Sequence, residues 1–107
     1  MIPWDRGATD AVLTDVRLER FRQHEVHGQQ DHEDGTGGAG TMATLTAAKR
    51  AADHATEEGR LTYSQILAEE VAEALAESDP MLLRAELVQV AAVAVQWVEA
   101  IDRRLRR

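Results

Sequence analysis

The alternation of apolar and polar positions along the chain divides it into four helical stretches. Between Asp10 and about His27 no glycine or proline intervenes, and Leu13, Val16, Phe21 and the stem of Arg20 recur near helical spacing. Residues 1–9 read as an irregular lead, punctuated by Pro3 and Gly7, with Trp4 available to dock onto the domain. From Gly28 to Gly40 the sequence GQQDHEDGTGGAG is polar and glycine-rich, which predicts a flexible loop that has too little apolar surface to pack on its own. Met42 to Glu58 then sets Leu45, Ala48, Ala52 and Ala55 on one helical face, and Gly59 stands where a C-terminal cap belongs.

The next boundary is written more sharply. Thr62 and Gln65 have the spacing of a capping box, and Leu61 and Ile66 that of a hydrophobic staple, so a helix begins at Thr62. It runs to Asp79-Pro80, where aspartate caps a new helix and proline suits its first position, making a tight helical hairpin. The last helix, Met81 to about Leu105, ends in Arg103, Arg104, Arg106 and Arg107, cations that favour the negative end of a helix. On the third helix Ile66, Leu67, Val71, Ala74 and Leu75 define the face predicted to be buried. On the fourth it is Leu82, Leu83, Leu87, Val90, Ala94, Trp97 and Ile101.

Composition narrows the picture. A length of 107 residues suits one domain, 10–107, and the low aromatic content with abundant alanine suits closely packed helices, an all-α fold. The net charge of −7 repels a nucleic-acid backbone, so no nucleic-acid polymer is expected as a partner. The absence of cysteine excludes disulfides, thiolate metal sites and cysteine nucleophiles. No apolar run of signal-peptide length opens the sequence, and Leu82 to Ile101 is interrupted by Arg84, Glu86, Gln89, Gln96 and Glu99. A soluble, cytoplasmic protein without a membrane partner is the expectation. With no G-x-x-x-x-G-K-[ST] loop, P-loop nucleotide binding is excluded.

The chemistry concentrates on the hairpin. Glu70 projects from within the apolar arc of its helix with Glu73 at the border, and Glu86 and Gln89 repeat that arrangement on the next helix, so two i, i+3 pairs can face each other. Clustered carboxylates repel one another and are costly to desolvate unless a cation neutralises them. Carboxylate and amide oxygens suit Mg²⁺ or Mn²⁺, hard ions that also bridge to phosphate oxygens. The alternative, about equally weighted on spacing alone, is that these glutamates are solvated residues edging the apolar stripe. Glu69 and Glu77 are assigned to solvent or the rim.

On these residues the segment EEVAEALAESDPMLLRAELVQVAAVAV resembles the MazG-like family of all-α nucleoside triphosphate pyrophosphohydrolases, which carry two E-x-x-E/D pairs on consecutive helices. Glu70-x-x-Glu73 is followed by Glu86-x-x-Gln89, with glutamine where the family has aspartate. The segment RFRQHEVHGQQDHEDGT is similar to the loop after the family's first helix, with His27 in the place of a tryptophan. The resemblance implies a four-helix MazG-like bundle completed by dimerisation, as a homodimer or dimer of dimers. It also implies Mg²⁺-dependent cleavage of a nucleoside triphosphate to monophosphate and pyrophosphate, with Glu70, Glu73 and Glu86 catalytic and, together with Gln89, metal-binding.

Gln29 and His32 in the loop are candidates to contact base or phosphate, and Lys49 to approach phosphates. His24, His27, His32, Asp31 and Asp34 are a weaker alternative set of ligands for a transition metal. A second apolar strip on the last helix, Val88, Ala91, Val95 and Val98, predicts the dimer contact. The opposing functional class is a noncatalytic helical module that binds nucleotide or another protein, a degenerate relative with Gln89 as its mark.

Overall fold

The computed structural model describes residues 1–106, and among them every regular element is a helix. The order is α1 (Arg6–His27), α2 (Thr41–Glu57), α3 (Tyr63–Ala76) and α4 (Pro80–Leu105). The protein is therefore all-α, as the sequence predicts. The chain groups into two compact units, one of Met1–Glu33 with the chain from Val95 on, the other of Asp34–Ala94.

In the first unit α1 begins four residues ahead of the expected Asp10. Asp5 is the reason: its side chain accepts from the Ala8 backbone N–H and caps the helix, so Gly7 is carried within the first turn. Trp4 is exposed, yet its Nε1 donates to Thr9 Oγ1 at 3.1 Å, and Thr9 in turn donates to Glu99 Oε2 on α4 at 3.0 Å. Val12 is the residue of α1 that is buried, while Leu13, Val16 and Phe21, predicted as its inner face, are exposed.

In the second unit the helix ends follow the sequence signals closely. At the end of α2 the Arg60 N–H donates to Ala55 O and the Gly59 N–H to Thr56 O, the paired bonds of a Schellman motif, and Gly59 takes the left-handed conformation this requires, with φ of 69°. The Thr62–Gln65 capping box forms in both directions. Asp79 accepts from the Met81 N–H through its side chain and from Leu83 through its backbone, starting α4 at Pro80. Helix α2 packs on α3, and the buried residues of the two helices are alanines: Ala52 and Ala55 on α2, Ala72 and Ala74 on α3. Of the face predicted for α2, Leu45 and Ala48 are half-buried.

Two parts of the predicted core differ. Leu75, Leu82 and Leu87 are exposed, and Leu75 lies with Ala72, Thr41 and Thr44 along a groove of about 230 Å³. Val95, placed by the sequence on an outward strip with Val88, Ala91 and Val98, is 8% exposed and belongs to the core; its neighbours on that strip are exposed. Val95 is also the first residue of α4 that belongs to the unit containing α1.

The Gly28–Gly40 segment takes no helix or strand. Its second half is tied to α3: the Gly37 N–H donates to Leu75 O at 2.8 Å, and Thr41 Oγ1 donates to Gly38 O at 2.8 Å. Gly37 has φ of 74°, and a Cβ there would lie 1.9 Å from Ser78 Oγ. Gly37→Ala therefore carries both a backbone and a contact penalty, together about 1–2 kcal/mol. By thermal melting we expect a fall of roughly 5–10 °C. Ser78→Gly in the same chain should recover the contact part and leave the backbone part.

Candidate metal centre

The site is built from α3 and α4, whose junction is fixed by the Asp79-Pro80 start of α4. Glu70 and Glu73 are one helical turn apart on α3, and Glu86 lies in the second turn of α4. Each is half-buried, and one carboxylate oxygen from each lies within 4.8 Å of those of the other two. Among the described residues this is the one group of three or more acidic, histidine or cysteine side chains so gathered. The set His24, His27, His32, Asp31 and Asp34 does not form such a group.

The electrostatics show the strain of this closeness. Burial pushes the Glu70 carboxyl above its ordinary value near 4.5; the charges of Glu73 and Glu69 push it further, and Lys49 opposes them. Glu86 is raised by burial, by a side-chain hydrogen bond with Glu73, and by the charges of Glu73, Glu70 and Glu77. Glu69 and Glu77, assigned by the sequence to the rim, are half-buried there and add negative potential to Glu70 and Glu86 respectively.

This donor set fits a hard divalent cation. Three hard oxygen donors, half-buried and mutually repelling, present the ligand chemistry that Mg²⁺ and Mn²⁺ take. Gln89, one turn beyond Glu86, is exposed, where the three glutamates are half-buried. Lys49 on α2 reaches the site from the side: its Nζ is 3.4 Å from Glu73 Oε1. Sequence spacing did not reveal that pairing, although one signal was present, since Lys49 is the single lysine in the chain. Gln29 and His32 lie in the other compact unit, where the Gln29 amide donates to Asp31 Oδ2 at 3.3 Å and His32 Nε2 is 3.0 Å from Gln30 Oε1. Arg20, His24, His27 and Gln29 line a surface cleft of about 580 Å³ in that unit.

A pH dependence follows from the two raised carboxyls. Between their ordinary value and their raised folded values the native state binds more protons than the unfolded chain, so stability falls as pH rises through that window. The metal-free protein should lose melting temperature as pH rises above about 4.5 relative to a Glu70→Gln, Glu86→Gln variant. Below about 4.5 the two curves should run parallel. Identical profiles across the whole range would show that these carboxyls are not perturbed.

No protein-family model, no curated protein and no solved structure matches the chain.

Proposed function

We propose that the chain is a divalent-metal-dependent nucleotide pyrophosphohydrolase of the MazG-like kind, cleaving a nucleoside triphosphate between its α and β phosphates to give the monophosphate and pyrophosphate. The observation that carries this reading is the convergence of Glu70, Glu73 and Glu86 from two helices onto one point. These three would hold the ion, with the Gln89 amide oxygen in the place of the family's aspartate. Bound there, Mg²⁺ or Mn²⁺ supplies charge neutralisation for the triphosphate and lowers the pKa of water. The chain's own part is to fix the three oxygens, to exclude solvent on the side where Ala72, Ala74 and Leu83 are buried, and to accept the proton of the attacking water on a carboxylate. Lys49, beside Glu73, is the residue assigned to phosphate.

We read the protein as soluble and cytoplasmic. Helix α4 is long and apolar enough, by length and composition alone, to cross a membrane. It also carries Arg84, Glu86 and Glu99, and charges at mid-bilayer depth are costly.

The same reading extends to a homodimer or dimer of dimers. Among the described residues no large side chain is fully buried, while Leu87, Val88 and Val98 on α4 and Phe21 on α1 are exposed. A second copy would cover such apolar surface. Because Val95 is in the core, the informative substitution is Val88→Glu. Sedimentation at micromolar concentration should show an oligomer for the wild type and a smaller species for Val88→Glu; a wild-type monomer would remove this part of the reading.

One observation favours the noncatalytic alternative: Gln89 is neutral and exposed, so the fourth ligand position is the weakest of the set. A panel of nucleoside triphosphates with Mg²⁺ or Mn²⁺, read as pyrophosphate and monophosphate released in equal amounts, decides between the two. Turnover of any member supports the enzyme. Metal and nucleotide binding without turnover of any member supports the noncatalytic module.

A further inference from the structure

The carboxylate cluster already has a cation beside it, and that cation is the only lysine of a chain whose other eleven basic residues are arginines. Lys49 comes from α2, the helix packed through small residues on α3, and its ammonium lies 3.4 Å from Glu73 Oε1. Its charge also reaches Glu70. The lysine side chain is about half exposed and Glu73 is about a quarter exposed, so the pair sits at the mouth of the site. Exposed pairs of this kind are weak and exchange partners readily. An ammonium on a flexible four-carbon stem, unlike the forked guanidinium of arginine, acts as a mobile point charge.

Resting on the metal-site reading above, we propose that Lys49 is the resident counter-ion of the carboxylate site. It occupies Glu73 in the metal-free protein, gives up that carboxylate to a divalent cation, and is then the group that meets the anionic oxygens of a polyphosphate. The charge arithmetic favours the exchange. Glu70, Glu73 and Glu86 carry three negative charges when ionised, and Glu69 and Glu77 add more around them. A divalent ion neutralises that cluster better than one ammonium, and it repels the ammonium it displaces. The released charge is left beside the ion, on the side open to solvent, where a polyphosphate arriving with or after the metal needs a second cation. Metal and polyphosphate binding are thereby coupled through one side chain.

The test uses inorganic tripolyphosphate and Mg²⁺ as probes. Reductive ¹³C-methylation keeps the charge of Lys49 and labels it and the Met1 amine alone, giving two resonances to follow. On titration with Mg²⁺ the Lys49 resonance should move in step with the calorimetric isotherm of the unlabelled protein, and move again on adding tripolyphosphate. In Glu73→Gln it should begin away from its wild-type metal-free position. Lys49→Met should bind Mg²⁺ about three- to tenfold more tightly. It should bind tripolyphosphate with Mg²⁺ about tenfold more weakly. A structural role alone would not shift the two affinities in opposite directions. Lys49→Arg should recover polyphosphate binding.

If Mg²⁺ binds but the Lys49 resonance stays still and Lys49→Met has wild-type affinities, the counter-ion role is overturned and the metal site stands. If Mg²⁺ binds neither form at millimolar concentration, the metal-site reading fails first, and the role of Lys49 with it.

Discussion

If the chain hydrolyses nucleoside triphosphates as proposed, Glu70→Gln should lower pyrophosphate release by at least about a hundredfold, and it should at the same time raise the melting temperature of the metal-free protein at neutral pH. The first half follows from the loss of one of three oxygen charges and of a candidate acceptor for the water's proton. The second follows from the forces on the group. Glu70 is held above the usual carboxylate range by burial and by Glu73 and Glu69, so its ionised form at neutral pH destabilises the fold. Glutamine keeps the shape and removes the charge. Kinetics with a triphosphate substrate and a melting curve without metal check both halves in one preparation. Lost activity with a lowered melting temperature would instead make Glu70 a structural residue.

The second large effect lies behind the site. Ala55 is 0% exposed on α2, which packs on α3, and the buried residues of both helices are alanines. Ala55→Leu inserts three heavy atoms where there is no room, at a cost of about 1–3 kcal/mol. For a chain of this size the melting temperature should fall by roughly 5–20 °C. Because α2 delivers Lys49 to Glu73, a displaced α2 should also weaken that ion pair. Ala55→Gly, which opens no clash, should cost about 1 kcal/mol through helix propensity. A leucine variant as stable as the wild type would mean that the α2–α3 contact is looser than its buried alanines indicate.

Local signals were the most legible part of the sequence. The capping box at Thr62, the Asp79-Pro80 start of α4 and the glycine cap at Gly59 each depend on a few neighbouring residues, and each is present in the structure. The two-helix relation of Glu70, Glu73 and Glu86 was legible for the same reason, since helical periodicity sets each on the inner side of its own helix. What periodicity did not supply was burial. Leu75, Leu82 and Leu87 share an apolar face with buried residues but are exposed, because the covering depends on which other segments arrive there. Val95 shows the converse: an outward strip by spacing, interrupted where α4 enters the unit that contains α1. The early start of α1 went unread because Asp5 as a cap outweighs the glycine two residues later. The Lys49–Glu73 pair joins residues 24 positions apart on different helices, and no local rule addresses such a distance.

Whether three side chains from two helices form one divalent-cation site is tested most directly by calorimetric titration of the metal-free protein with Mg²⁺ and Mn²⁺ at neutral pH. The wild type should bind with a saturable isotherm, because the ion relieves the burial and mutual repulsion that raise the Glu70 and Glu86 carboxyls. Glu70→Gln and Glu86→Gln should each weaken binding at least about tenfold. Absence of a saturable isotherm in the wild type at millimolar metal, or undiminished affinity in both variants, would contradict the account.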